Sequence, residues 1–261
     1  MNEWIKKSIK IANSKGYLDR LHAIYPVSEE TWREIPVETK RELEKVYRKG
    51  DNILLVKKLL QLPKFPVNDP YVAFLRKKDV FIEYNPKTVN RIAERVRSLG
   101  FKAIIEAIEE PKSPSRQIGT YFKKWIPNMG FPTLDETEFL KCDGIAFLEG
   151  SDKKLRDFAN EKLGYKLQKG LDLVAKVKGK YVIGEAKFLT DYGGSQNANF
   201  ESALKLIRNK VGEAIKIAVL DGVVWIRDSA KMYKTVCKLK EVALTALLLK
   251  KFLISLNKGK I

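Results

Sequence analysis

Residues 171–187 read Leu171-Asp172-Leu173-Val174-Ala175-Lys176-Val177-Lys178-Gly179-Lys180-Tyr181-Val182-Ile183-Gly184-Glu185-Ala186-Lys187. Two runs rich in Leu, Val, Ile and aromatic residues, 171–177 and 181–188, flank Lys178-Gly179-Lys180, the pattern of two strands joined by a tight turn. With Gly179 and Lys180 as the central residues of a type II′ turn, Lys178 pairs with Tyr181, Val174 faces Glu185 and Asp172 faces Lys187. Side chains alternate with period two, so Asp172, Glu185 and Lys187 fall on one face of the sheet. Gly184 and Ala186 put small residues around Glu185, which implies a close approach to the backbone there.

Two carboxylates beside one ammonium make a hard-oxygen site for Mg2+, with the Ala186 carbonyl as a further ligand and the remaining positions left to water and substrate phosphate oxygens. A bound metal lowers the pKa of a water and offsets phosphate charge, while Lys187 orients that water and stabilises developing negative charge. Phosphodiester hydrolysis is the reaction such a site suits. The bland reading is a solvated sheet face with an ion pair and Asp172 at the surface, but the otherwise apolar strands count against it.

The arrangement resembles the active site of the PD-(D/E)XK nuclease superfamily, an Asp on one strand followed, after a hairpin, by Glu-x-Lys on the next. Gly150-Ser151-Asp152 opening a helix, Gly170-Leu171-Asp172, Gly184-Glu185-Ala186-Lys187-Phe188 and Gly193-Gly194-Ser195-Gln196-Asn197 resemble a prokaryotic type II restriction endonuclease, over about residues 111–261. Leu171 stands where the superfamily name has Pro. The resemblance implies a restriction-endonuclease-like mixed α/β sheet flanked by helices in residues 111–261; the region before it, 1–110, is read from its own punctuation as mainly helical, for recognition or dimerisation. The resemblance also implies Asp172 and Glu185 on Mg2+, in-line hydrolysis of double-stranded DNA leaving a 5′-phosphate, a homodimer cutting both strands of a short site, and a cognate DNA methyltransferase in the same system. A repair or recombination endonuclease of the same fold, and a basic DNA-binding protein with an inert hairpin, are the competing readings; metal-dependent cleavage separates them.

Composition points the same way. The chain of 261 residues carries 50 Lys and Arg against 32 Asp and Glu, a net charge of +18 that favours a polyanionic partner. No apolar run is long enough to span a bilayer and the amino terminus lacks a signal-peptide layout, so a cytoplasmic protein is expected. Cys142 and Cys237 support neither a disulfide framework nor a cysteine zinc site. One histidine, His22, excludes mechanisms that need paired histidines; it is read as a packing residue in a helix.

Along residues 1–110, Gly and Pro punctuation predicts a series of helices. Asn85 is expected to cap a helix with Val89, Ile92, Ala93 and Val96 on its apolar stripe and Lys87, Arg91 and Arg95 on another face; with the next helix, Phe101–Glu110, it has the outline of a helix-turn-helix. From Pro114 to Ile126, Ile118, Phe122, Trp125 and Ile126 form a buried side and Arg116, Thr120, Lys123 and Lys124 an opposite one suited to DNA phosphates. Arg116 and Gln117 have donor geometry for guanine and adenine edges. Further on, a strand is expected over 145–148, then a helix capped by Ser151 on which Glu161 is an auxiliary carboxylate candidate. Residues 190–197 are read as a loop whose Ser195, Gln196 and Asn197 reach DNA beside the metal. A helix over 200–208, strands over 215–220 and 223–226 with an Asp221-Gly222 turn, and a closing helix over 242–256 complete the expectation.

Overall fold

A computed structural model describes residues 1–26, 34–110, 114–228 and 230–259, with the side chains of 114–118 outside the described set. In chain order the elements are α1 (Glu3–Ala12), α2 (Tyr17–His22), α3 (Val37–Lys49), α4 (Asn52–Leu60), α5 (Val72–Leu75), α6 (Val80–Tyr84), α7 (Pro86–Arg97), α8 (Phe101–Glu109), α9 (Pro114–Trp125), β1 (Thr133–Leu134), α10 (Glu136–Lys141), β2 (Ile145–Leu148), α11 (Asp152–Lys162), β3 (Leu173–Val177), β4 (Lys180–Leu189), α12 (Gly194–Ile207), β5 (Ile215–Gly222), α13 (Lys231–Lys238), β6 (Val242–Leu244) and α14 (Leu249–Asn257). The chain divides into two compact units, Ser28–Lys112 and the remainder, Met1–Val27 with Ser113–Ile261. The described residues 1–26 fall in the sheet-bearing unit, whereas the expectation groups them in one helical region over 1–110.

The smaller unit is helical. Val89, Ile92, Ala93 and Val96 of α7 are buried, as the apolar stripe requires, against Leu55, Val56 and Leu59 of α4. Asn85 stands at the head of α7 without capping it; its amide instead donates to the Phe81 carbonyl at 2.7 Å. The basic face expected there is partly committed within the unit, since Arg91 pairs with the buried Asp69 at 2.7 Å and Arg95 donates to the Asn68 carbonyl at 3.2 Å.

The larger unit is built on a six-stranded mixed sheet of order β1-β2-β3-β4-β5-β6. The pairs β2–β3 and β3–β4 are antiparallel, and β1–β2, β4–β5 and β5–β6 are parallel. Alternation on β4 divides the core. Val182 and Ala186 join the main cluster with Phe122 of α9, Phe200 and Leu204 of α12 and Phe252 of α14, whereas Ile183 faces a second cluster with Phe158 of α11 and Leu206. Gly184 points at the main core: a Cβ there would lie 2.9 Å from Ile217 Cγ1 and 3.2 Å from Leu173 Cγ. The small residue thus makes room for core side chains on the face away from Glu185, rather than for an approaching ligand.

The hairpin turns one residue earlier than expected. Val177 pairs with Lys180, leaving Lys178 (φ 46°) and Gly179 (φ 74°) as central residues, both left-handed, which is a type I′ turn. The pairing consequently shifts by two, with Val174 opposite Ile183. An even shift keeps every side chain on its face; an odd one would reverse them all.

Four other expectations change. Residues 223–225 form a 3-10 turn instead of a strand, and Trp225, fully buried, donates its indole N–H to the Leu220 carbonyl at 2.6 Å. The run 242–256 is not one helix: β6 adds to β5, Thr245 caps a 3-10 turn, and α14 begins at Leu249. The 190–197 loop is short, because α12 already starts at Gly194. His22 is exposed rather than packed, and both cysteines are free.

At the end of β5, Asp221 is completely buried and ties the amino-terminal segment to the sheet. Tyr25 donates to its Oδ2 at 2.8 Å, Tyr17 to Oδ1 at 3.3 Å, the Ala246 N–H to Oδ2 at 3.2 Å, and the Thr245 hydroxyl to Oδ1. Burial pushes this carboxyl up to about 6, against the four hydrogen bonds that pull it down.

Candidate active site

Asp172 precedes β3 and is held by its backbone, whose N–H donates to the Gly184 carbonyl at 3.0 Å. Its side-chain Oδ2 accepts from the Ala186 N–H at 2.8 Å and from Lys187 Nζ at 3.1 Å. Lys187 Nζ also lies 3.5 Å from Glu185 Oε2. The three side chains therefore meet on one face of the hairpin, with Glu185 only 6% exposed and Asp172 and Lys187 partly so. The bland reading of a solvated ion pair does not describe a carboxylate buried to that degree.

The electrostatics follow from the geometry. Burial pulls the Lys187 pKa down, but the charges and hydrogen bonds of Asp172 and Glu185 outweigh it and hold the amine above the ordinary lysine range. At neutral pH Lys187 is thus an ammonium bridging two carboxylates.

The donor set fits a hard divalent cation. Asp172 and Glu185 present oxygens to a common point now served by a single cation, Lys187 Nζ. Because the Gly184 carbonyl is aimed toward β3, the amide groups of Ala186, two residues on, point the same way, past the start of β3. No group of three His, Cys, Asp or Glu side chains converges among the described residues, but Mg2+ takes one or two carboxylates and completes its shell with water and phosphate oxygens. Glu161 is exposed on α11 and does not join the pair.

Of the DNA candidates, Lys123 lies beside this centre. Lys123 lines a cleft of about 160 Å3 with Gly150 and Asp172; it forms an ion pair with Asp152 and reaches the Gly150 carbonyl at 3.4 Å. Lys124 is exposed. Arg116 and Gln117 fall on α9, but their side chains lie outside the described residues. Ser195, Gln196 and Asn197 form the first turn of α12, with Ser195 and Asn197 exposed and the Gln196 carboxamide oxygen buried without a hydrogen-bond partner among the described residues. Two polar residues beside the site carry no sequence signal at all: Ser202, whose hydroxyl lies 3.0 Å from Glu185 Oε2, and Lys169, whose Nζ lies 3.2 Å from Ser202 Oγ.

A mixed sheet that brings an Asp at the entry of one strand against Glu-x-Lys on its neighbour has the geometry of a PD-(D/E)XK nuclease, the class that the hairpin motif resembles. Comparison with known families makes this specific: the chain belongs to the Tsp45I type II restriction enzyme family, whose model matches residues 2–256. It is therefore a type II restriction endonuclease and a DNA-binding protein. Neither the curated proteins nor the solved structures contain a match to it. No helix among the described residues is long and apolar enough to cross a membrane.

Proposed function

We propose that this enzyme hydrolyses both strands of double-stranded DNA at a short specific sequence, using Mg2+ held by Asp172, Glu185 and the Ala186 carbonyl, and acting as a homodimer in the cytoplasm. The observation that supports it is the meeting of Asp172 and Glu185 at one ammonium, 3.1 Å and 3.5 Å from Lys187 Nζ. When bound, Mg2+ supplies an activated water and offsets the charge of the scissile phosphate.

The protein's own groups supply the rest. Held protonated, Lys187 is a donor, so its role is to orient the attacking water and stabilise developing negative charge rather than to take a proton. Asp172 is fixed for its task by the Ala186 N–H, which leaves its side chain little freedom to turn away. Around the centre, Lys123, Lys124 and Arg116 would meet phosphates, and Gln117, Ser195, Gln196 and Asn197, with Arg116, are the candidates for base contacts. The charge is placed to match: the unit carrying the site has 32 Lys and Arg against 18 Asp and Glu, the helical unit 18 against 14. A cognate methyltransferase would protect the host's own sites.

Digestion of a long DNA of known sequence with Mg2+, with the ends mapped, tests the proposal. Discrete fragments ending at one recurring short sequence are expected. A smear, cutting confined to branched or damaged DNA, or no cleavage would overturn it.

A further inference from the structure

Glu185 is contacted from two sides. Lys187 meets Oε2 from the side of Asp172, and the Ser202 hydroxyl of α12 lies 3.0 Å from Oε2 and 3.4 Å from Oε1. An ionised carboxylate only accepts, so Ser202 must donate to it. Lys169 Nζ, 3.2 Å from Ser202 Oγ, is an ammonium and only donates, so it occupies the acceptor side of the hydroxyl. One orientation of the Ser202 proton satisfies both neighbours, and it points at Glu185.

The relay is anchored at each end. On α12, Phe200, Ala203, Leu204 and Ile207 are buried in the main core, which fixes the Cα of Ser202. Lys169 lies three residues before Asp172, on the chain entering β3. Beyond Glu185 opens a cavity of about 370 Å3, also lined by Lys169, Lys205, Glu201 and Ser202, into which an untethered carboxylate could swing.

We infer that Lys169 and Ser202 are positioning residues that hold the Glu185 carboxylate toward Asp172 and so pre-organise the divalent-cation site. This rests on the metal-binding role proposed above for Glu185. Outer partners of metal-binding carboxylates act in this way, and their loss typically costs metal affinity about 10- to 100-fold.

The sign of one substitution separates the relay from plain electrostatics. Removing a positive charge beside a cation site by Lys169→Met should strengthen cation binding through Coulomb's law alone; the relay requires it to weaken. Mn2+ binding to the full-length protein without DNA, followed by the paramagnetic resonance of free Mn2+ up to millimolar concentration, reads this directly. Expected are about 10-fold weaker binding for Ser202→Ala, a smaller weakening for Lys169→Met, and near-parental binding for Ser202→Thr, which keeps the hydroxyl. Parental affinity in Ser202→Ala, or tighter binding in Lys169→Met, overturns the relay. Should Ser202→Ala fail to fold, Lys169→Met at its exposed position decides the matter alone. Glu185→Ala distinguishes the two levels: if it binds Mn2+ like the parent, or the parent takes up none, the metal-binding role of Glu185 falls and the relay with it; if only Glu185→Ala loses binding, the relay alone falls.

Discussion

Lys187 Nζ stands 3.1 Å from Asp172 Oδ2, although 15 positions separate the two residues in the chain. This contact closes the hairpin over its own active face and joins the carboxylate at the mouth of β3 to the last polar side chain of the Glu-x-Lys motif. It explains why Lys187 keeps its proton despite being largely buried, since the two carboxylates offset the desolvation of the ammonium.

Lys187→Ala should therefore reduce cleavage by at least about 100-fold, the scale for losing a preorganised charge-stabilising donor, while leaving DNA affinity in Ca2+ within about a factor of three. Single-turnover cleavage rates and binding titrations measure the two quantities separately. Parental turnover in the variant would remove Lys187 from the mechanism.

Asp221 makes stability depend on pH in an unusual direction. Its folded-state value, about 6, lies above the ordinary carboxyl value of 3.8, so between these two pH values the folded protein holds a proton that the unfolded chain has released. That contribution is fully present below about pH 4 and is lost as pH rises through 6, with a magnitude on the order of 3 kcal/mol. Asn at this position cannot titrate. The stability difference between parent and Asp221→Asn, from urea unfolding, should accordingly be largest near pH 4 and shrink by up to that amount at pH 7; a constant difference would mean that Asp221 does not titrate in this range.

The active face was legible because it depends only on the parity of the hairpin. The turn was not: Lys-Gly is not one of the marked turn dipeptides, and placing Lys178 itself at positive φ moved the pairing by two residues without moving Asp172, Glu185 or Lys187 off their shared face. Periodicity failed where segments are buried all round. Val242–Leu244 runs into the apolar Ala246–Leu249 with only Thr245 between, so no break is visible, and the parallel edge of β5 decides that it is a strand. The residues 223–225 are β-branched and aromatic, yet the buried Trp225 indole finds its acceptor on Leu220 and turns the chain. Ser202 and Lys169 stayed invisible because a contact between a helix and the approach to a strand leaves no local spacing to read.

Lys178 offers a test of the turn itself. A non-glycine residue in the left-handed region costs about 1 kcal/mol, and Asn tolerates it better than Lys. Lys178→Asn should stabilise the protein by about 0.5–1 kcal/mol in urea unfolding and leave cleavage unchanged, since the turn lies at the far end of the hairpin from Glu185. A destabilised variant would contradict the type I′ assignment.

The two lysines near the end of α9 should behave differently toward DNA, although the helical wheel treats them alike. Lys123 is already paired with Asp152, so a phosphate must compete with a carboxylate for it, whereas Lys124 is exposed. Each lysine that neutralises a phosphate contributes about 0.9 to the slope of log K against log salt concentration. Lys124→Ala should thus flatten that slope by about one unit and weaken binding to all sequences alike, while Lys123→Ala should change it by less than half as much. Titrations in Ca2+ over a range of salt concentrations, with parent and both variants on the same duplex, read the slopes directly. Equal losses of one unit would mean that Lys123 leaves Asp152 for a phosphate when DNA arrives. Unchanged slopes in both would make this face of α9 a solvated one and move phosphate binding elsewhere on the basic unit.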